Sequence, residues 1–214
     1  MNNFAITIGR QCGSGGRAVA KEVAKLLGID YYDKELITLA AKKSGMSEKV
    51  FENMDEKPTN SLLYSLAMGA YAMEGQYVYW GDAAVPLSDK VYQVQSDLIK
   101  SIANEKSSVF VGRCADYALR EHPAHISVFV TDTLPVRIGN VMKEFDVNEK
   151  KAEDIIQKTD RKRSNYYSFH TNREWNVSDN YDLCVRTSVL GVEKTAEMII
   201  RFAELKFGRS LLNK

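Results

Sequence analysis

The sequence predicts an α/β fold with a five-stranded parallel sheet and helices on both faces. Five short apolar segments, typical of buried strands, alternate along the chain with segments of helical periodicity. The first apolar segment runs into a glycine cluster, which opens directly into an amphipathic helical pattern. A strand, a glycine-rich turn and a helix in this order form an arrangement that binds phosphate. With 214 residues, the chain is expected to form one domain over residues 1–214.

Composition narrows the class of protein. Hydrophobic residues make up 44% and charged residues 27%, which is typical of a globular protein, and the net charge is only +1. We therefore expect no general attraction to nucleic acid polymers or to membrane surfaces. A predicted strand within the first residues leaves no room for a signal peptide, and no apolar run approaches the length of a membrane span. Three widely spaced cysteines indicate a reducing cytoplasm, and the oligomeric state is left open.

The first elements follow from local patterns. A strand is predicted over Phe4–Ile8, followed by the glycine cluster and a helix that ends at Leu27. A second short strand is predicted over Ile29–Tyr32. Asp33 is of a residue type that favours helix N-caps, so we expect it to begin a helix that ends near Gly45.

Residues 47–104 interrupt the alternation of strand and helix. This segment is too long for a plain crossover between two parallel strands. Helices are predicted over 47–54, 60–74 and 87–104, with an irregular, aromatic-rich stretch over 75–86. We interpret 47–104 as a helical insertion on the acceptor side of the fold. Its tyrosines and tryptophan either stack on a base or form the core of the insertion.

The rest of the chain repeats the alternation of strand and helix. The predicted strands are 107–112, 126–131 and 181–186, and the predicted helices run from about 115 to 122, 134 to 145, 148 to 163 and 191 to 207. Pro135 suits the first turn of its helix, with Asp132 or Thr133 as the cap. Residues 166–180 show no periodicity, and we interpret 164–180 as a short lid.

The glycine cluster is the strongest candidate for a ligand site. Glycines permit tight turns and leave room for phosphate oxygens, so the backbone N–H groups of Gly13, Ser14, Gly15 and Gly16 are predicted to bind phosphate. In the pattern G-x-x-x-x-G-K-[ST], the Lys position here holds Gly16 and the Ser/Thr position holds Arg17. Arg17 is predicted to replace the missing lysine. The alternative is a glycine turn that binds no ligand.

Two further sets of charged residues are candidates. Arg113 directly follows a buried-type strand, where a parallel sheet exposes ligand-binding residues, and arginine binds phosphate in bidentate fashion. The alternative for Arg113 is an ion pair at the surface. Asp160 is followed by the basic run Arg161-Lys162-Arg163, and the predicted lid contains Arg173. A cationic lid suits phosphoryl transfer. Arg161, Arg163 and Arg173 are therefore predicted to close over the transferred group; the alternative is a solvated basic face.

These motifs together resemble the cytidylate kinase-like family of P-loop nucleoside monophosphate kinase relatives, over nearly the whole chain. Residues 10–17 look like that branch's version of the phosphate loop, and residues 31–33 match the position of a Leu-Asp-Thr-Gly stretch. Val111-Gly112-Arg113 matches a Gly-Arg-Asp segment, and Asp160-x-x-Arg163 matches the pair that flanks the lid. Residues 181–188 look like the family's final strand and base-side loop.

The resemblance implies a P-loop NTPase fold and a kinase that moves the γ-phosphoryl group of ATP to a nucleoside monophosphate, such as CMP, or a related small phosphorylated acceptor. Arg113, Asp160 and Arg163 would bind the acceptor, and Asp33 would act as a base or hold Mg²⁺ through water. Mg²⁺ is expected to accompany ATP, with no metal-ligand set in the protein and Ser14 as a misplaced substitute for the usual hydroxyl. The alternative is a catalytically inactive nucleotide- or phosphate-binding sensor or partner-binding module.

Overall fold

The fold is built around one parallel sheet of five strands. The computed structural model describes residues 3–54, 77–80 and 83–212. Its strands are β1 (Ala5–Arg10), β2 (Asp30–Tyr32), β3 (Tyr77–Trp80), β4 (Ala83–Pro86), β5 (Ser108–Val111), β6 (His125–Thr131) and β7 (Leu183–Arg186). The sheet order is β2-β5-β1-β6-β7, and β3 and β4 form a separate antiparallel hairpin. The predicted five-stranded α/β fold is confirmed.

Helices cover both faces of the sheet. They are α1 (Gly16–Leu27), α2 (Glu35–Ser44), α3 (Glu48–Met54), α4 (Leu87–Glu105), α5 (Ala115–Ala118), α6 (Leu134–Phe145), α7 (Glu149–Thr171) and α8 (Thr187–Phe207), with a 3₁₀ turn over Ser178–Asn180. None of the helices in the described ranges combines the length and apolar character that a membrane span needs.

The core lies in two layers, one on each face of the sheet. On one face, α1 and α8 pack against the strands through buried residues such as Val19, Val23 and Ile199. On the other face, α2 and α4 contribute Leu36 and Ile99 to a second cluster. Fully burying side chains of this size stabilises the fold by roughly 1.5–3 kcal/mol each, so the central strands are held firmly.

Parallel register brings five strand ends to one edge. Within the central strands, Ile8 is paired with Val111 and Arg10 with Val130. Since all the strands run in one direction, the residues after Arg10, Tyr32 and Val111 meet at the carboxyl edge of the sheet. This is the edge at which open α/β sheets bind ligands.

The structure differs from the sequence-based predictions at several places. The stretch over 75–86, predicted to be irregular, contains the β3–β4 hairpin. The helix predicted over 60–74 lies outside the described residues. The last helix begins at Thr187 rather than at Gly191, where a φ of 79° instead interrupts it. Asp33 is not an N-cap: Lys34 takes that position without a side-chain cap, and the Asp33 carboxylate forms ion pairs instead.

A further difference concerns the segment interpreted as a lid. Helix α7 continues to Thr171, so the prediction of an irregular chain from residue 166 is wrong for its first part. Tyr166 and Tyr167 are buried among other aromatic residues, and His170 stacks on Tyr92 with ring centroids 4.1 Å apart. Packing against neighbouring elements sustains a helix here although the local sequence is polar.

Candidate phosphate-transfer site

The glycine-rich loop needs three of its glycines for steric reasons. Gly13 and Gly15 have φ values of 74° and 80°, in the left-handed region that disfavours side chains. A Cβ on Gly13 would lie 2.5 Å from the backbone oxygen of Arg137, and one on Gly16 would lie 2.5 Å from the Cβ of Arg10. The loop is therefore closely packed against its surroundings as well as tightly turned.

This loop leaves several backbone donors at the start of α1. Among the described residues, no hydrogen bond involves the N–H groups of Gly13, Gly15, Arg17 or Ala18. N–H groups at a helix start favour an anion, because the helix dipole is positive there. The Ser14 hydroxyl is already used: it donates to the Gln11 carbonyl at 2.8 Å and accepts from the Gly16 N–H at 3.4 Å.

A second layer of polar contacts holds the loop. Asp160 accepts from the Cys12 N–H at 2.8 Å and forms an ion pair with Arg137. Arg137 also donates to the Cys12 carbonyl at 2.8 Å, and the Asn140 side chain donates to the Gly13 carbonyl at 2.8 Å. These contacts tie Asp160 to the glycine-rich loop, and its predicted role in acceptor binding stays a prediction.

Beside the loop, Asp33 lies at the centre of an arginine cluster, defined here as Arg10, Arg17, Arg113 and Asp33. Arg17 Nε is 2.7 Å from Asp33 Oδ2, and Arg113 Nη1 is 3.1 Å from Asp33 Oδ1. Arg10, Arg113 and Asp33 are buried, whereas the side chain of Arg17 is 44% exposed. Arg17 is therefore the solvent-accessible cation of the cluster.

The charge of the cluster determines how Asp33 ionises. Burial by itself raises the pKa of the Asp33 carboxyl, but the positive charges of Arg10, Arg113 and Arg17 outweigh burial and hold the pKa below its ordinary value. A carboxylate with a lowered pKa and two ion pairs is a poor proton acceptor. Both carboxylate oxygens of Asp33 thus hold guanidinium groups in this structure, and its role as a base stays a prediction.

A left-handed turn aims Arg113 at Asp33. Gly112, Arg113 and Cys114 have φ values of 70°, 54° and 53° in succession. Two non-glycine residues in this region cost roughly 1–2 kcal/mol each, and such strain is found at functional sites. The predicted alternative for Arg113, a surface ion pair, is wrong, since its partner is the buried Asp33.

Next to this cluster lies a small cavity at the ends of β1 and β5. Its volume is about 20 Å³, enough for one water molecule. The lining combines cations with aromatic side chains and comprises Gly9, Arg10, Gly112, Arg113, Cys114, Asp116, Arg163, Tyr166, Tyr167, Trp175 and Tyr181. We refer to it as the β1–β5 cavity.

Hydrogen bonds join the residues that line this cavity. Arg163 Nη1 donates to the Arg10 carbonyl at 3.1 Å, which places this predicted residue at the cavity. The Tyr167 hydroxyl donates to Asp116 at 2.7 Å. Burial raises the pKa of Asp116 despite this hydrogen bond. Residues 114–117 gave no sequence signal for Asp116 beyond its position just after a strand end.

The structure does not bring all the predicted arginines into this site. The Arg161 side chain is exposed and makes no hydrogen bond or ion pair to other residues within the described ranges. Arg173 is also exposed, with its guanidinium 5.3 Å from the centre of the Tyr117 ring, at the outer side of the cavity wall. A role for either in closure over a phosphoryl group stays a prediction.

The sequence reasoning missed several residues of the site. Arg10, Arg137, Asp116 and the aromatic lining of the cavity are brought together only by tertiary packing. A signal existed for Arg10, which lies two residues beyond the first predicted strand, close to a strand end as Arg113 is after the third.

Comparison with solved structures shows the class of fold. The strand order and the glycine loop at the start of α1 are those of a P-loop kinase fold. A shikimate kinase from Bacteroides thetaiotaomicron shares this fold at 12% identity, with a TM-score of 0.51 over 94% of this chain and 98% of that one. A crystal structure of an uncharacterized protein from Eubacterium ventriosum is 27% identical, with a TM-score of 0.68 over 94% and 99% of the two chains.

The family follows from the sequence match. The model of the cytidylate kinase-like family matches residues 5–189, and the chain belongs to that family. A search of curated proteins found no match. Family and fold together support a phosphotransferase in general.

Phosphotransferases of this kind ordinarily use Mg²⁺, which prefers oxygen ligands such as hydroxyls and carboxylates. Arg17 occupies the position at which a Ser or Thr hydroxyl binds Mg²⁺, and the Ser14 hydroxyl has other partners. Both carboxylate oxygens of Asp33 are in ion pairs. In the described part of the chain, no group of three His, Cys, Asp or Glu is placed to hold a metal. These residues do not fit a protein-bound Mg²⁺.

Proposed function

We propose that the protein is a phosphotransferase that moves the γ-phosphoryl group of ATP to a nucleoside monophosphate, such as CMP, or to a related small phosphorylated acceptor. The observation that carries the proposal is the position of the arginine cluster and Arg163 directly beside the glycine-rich loop. Such a site neutralises the charge of two phosphorylated substrates at once, which is the main requirement of phosphoryl transfer. The proposal includes a cytoplasmic location. The three cysteines, all within the described residues, form no disulfide with one another.

The reaction places each substrate on one side of Arg17. The loop N–H groups bind the phosphates of ATP, and Arg17 extends from the loop to Asp33 across the strand edge. An oxygen of the acceptor phosphate forms a bond to the γ-phosphorus, and the bond from that phosphorus to the bridging oxygen of ATP breaks. ADP and a diphosphate product result. Since the attacking oxygen belongs to a phosphate that is already ionised, the step needs no general base.

In this proposal the acceptor binds at the β1–β5 cavity, which must open because its present volume admits only one water molecule. Separation of α7 and the segment around Trp175 from the ends of β1 and β5 would expose Arg10, Arg113 and Arg163 to a phosphate. The aromatic walls then suit a planar ring.

A second candidate function is a catalytically inactive nucleotide- or phosphate-binding sensor. It is favoured by Gly16, since the usual lysine that contacts the β- and γ-phosphates is absent. The exposed guanidinium of Arg17 favours the kinase, because it supplies a cation at the same helix start.

Transfer from labelled ATP separates the two functions. Purified protein is incubated with ATP, Mg²⁺ and each of a panel of nucleoside monophosphates, and labelled diphosphate is measured. We expect turnover with at least one acceptor and a loss of about 100-fold in Arg113→Met, the size typical of a lost transition-state cation. Arg201→Met, an exposed arginine on α8, is the matched control and should keep full activity. Tight ATP binding without transfer to any acceptor would instead support the sensor.

Tryptophan fluorescence tests the opening of the cavity. The chain has two tryptophans, so Trp80→Phe leaves the buried Trp175 of the cavity wall as the only reporter. We expect saturating acceptor to change the emission intensity of this variant. No change at an acceptor concentration that supports turnover would place acceptor binding elsewhere.

A further inference from the structure

Arg17 stands where P-loop proteins use a metal ligand. The Ser or Thr of the loop pattern lies at the second helical position of the first helix, and its hydroxyl binds the Mg²⁺ that bridges the phosphates. Here that position carries a guanidinium, whose Nε is 2.7 Å from the carboxylate of Asp33. A fixed positive charge thus lies between the glycine-rich loop and the end of β2.

The geometry points to a guanidinium that replaces the protein-bound metal: we propose that Arg17, held by Asp33, neutralises the donor phosphates, so that the protein binds ATP with nearly equal affinity in the presence and absence of Mg²⁺. The inference rests on the proposed function, because it concerns the same donor site. It goes further by assigning to a side chain the charge that a cation otherwise supplies.

The arrangement around Asp33 supports this replacement. Asp33 is buried, and its second oxygen is engaged by Arg113 at 3.1 Å, so the carboxylate holds Arg17 from a fixed position. Burial by itself lowers the pKa of Arg17, but the neighbouring Asp33 carboxylate outweighs burial and stabilises the protonated guanidinium. The side chain remains 44% exposed and accessible to a ligand at the loop.

A metal at the same place would meet unfavourable charge. Arg10, Arg17 and Arg113 all act on Asp33, so a divalent cation near this carboxylate would be repelled by three guanidinium ions. Bidentate guanidinium contacts to phosphate are a strong alternative to a cation. The site is therefore suited to the phosphates of ATP and not to a hydrated metal bound by the protein.

Calorimetric titration of the whole protein with ATP, in Mg²⁺ and in EDTA, tests the inference. We expect the two dissociation constants of the wild type to agree within about threefold, less than the tenfold that 1.4 kcal/mol represents. In Arg17→Ser, which removes the guanidinium and restores a hydroxyl, we expect affinity in EDTA to fall about tenfold or more and Mg²⁺ to recover part of it.

Two further variants control the experiment. Arg17→Lys keeps the charge and should remain insensitive to EDTA, and Lys25→Ser, on the exposed side of the same helix, should behave as the wild type. A fall of about tenfold or more in the affinity of the wild type on addition of EDTA would overturn the inference and leave the proposed function standing. Absence of ATP binding in both buffers would overturn the proposed function and the inference with it.

Discussion

The glycine-rich loop and the arginine cluster lie side by side at one edge of the sheet, yet they are built differently. The loop offers backbone N–H groups from consecutive residues, and its shape depends on three glycines. The cluster consists of side chains from β1, α1 and the ends of β2 and β5. The loop thus depends on the absence of side chains, whereas the cluster depends on the balance of buried charge.

The largest effect is expected from loss of the negative charge in the cluster. Asp33→Asn leaves buried guanidinium groups without their carboxylate, so the free energy of unfolding should fall by about 3 kcal/mol. The matched control is Asp30→Asn at the start of β2, the strand that precedes Asp33; its ion pair with Lys106 is half exposed and should contribute less than about 1 kcal/mol. Urea unfolding of both variants measures the difference, and equal losses would contradict a special role for the buried cluster.

The loss of stability in Asp33→Asn is expected to depend on pH. Because the pKa of Asp33 is lowered in the fold, its stabilisation is present above the ordinary value, about 3.9, and is lost as the pH falls through the folded value. The gap in stability between the wild type and Asp33→Asn should therefore be constant near neutrality and close in acid. A gap that widens in acid would contradict the ion-pair assignment.

A somewhat smaller effect is expected in the loop. Gly16→Ala places a Cβ 2.5 Å from the Cβ of Arg10 and 3.2 Å from that of Val130, so we expect a loss of about 2 kcal/mol in stability, together with weaker ATP binding. The control is Gly139→Ala in α6, where a Cβ meets nothing within 4 Å and should be neutral or stabilising by about 0.5–1 kcal/mol. Similar thermal shifts for the two variants would refute the close packing of the loop.

The next largest effect on stability is expected from Asp160, which contacts the glycine-rich loop. Asp160→Asn weakens the charge-assisted contacts to Arg137 and the Cys12 N–H, which should lower the free energy of unfolding by about 1.5 kcal/mol. ATP affinity should fall in parallel, because the loop loses its anchor. Asp154→Asn, an exposed aspartate on the same helix, is the control and should match the wild type. If only acceptor affinity changed in Asp160→Asn, the predicted acceptor role of Asp160 would be supported instead.

The smallest effect on stability is expected for Asp116→Asn, and it should depend on pH in the opposite way to that of Asp33→Asn. Burial raises the pKa of Asp116, so ionisation at neutral pH opposes folding and the penalty disappears as the pH falls. Asp116→Asn keeps an acceptor for the Tyr167 hydroxyl and should be slightly more stable than the wild type at about pH 8, with no difference below about pH 4. Thermal unfolding across this range measures the trend, and a variant less stable at all pH values would show that the carboxylate is needed.

Much of the fold was predictable because its elements have local causes. The apolar runs that form β1, β5 and β6 are buried on both faces, and their composition identifies them without tertiary information. The periodicity of α1 also predicted its buried side. The segment over 166–171 was predicted wrongly, because its helix depends on burial of Tyr166 and Tyr167 against distant residues.

The candidate site was only partly predictable. The glycines and Arg17 were found by pattern, and Arg113 by its position at a strand end, and their roles stay predictions. The partners were not found: Arg113 meets Asp33 across 80 residues of sequence, and Arg137 meets Cys12 across 125. No local pattern carries that information, since the contacts arise from the order of strands in the sheet.

The sequence by itself determined the five strands of the parallel sheet, the first helix and a glycine loop at its start, because these depend on hydrophobic periodicity and on backbone freedom within a few residues. The tertiary structure alone decided that Asp33 pairs with Arg17 and Arg113 rather than capping a helix, and that Asp160 anchors the loop. Buried charges must be compensated, and which partner compensates them is set by which strand ends adjoin in the folded sheet.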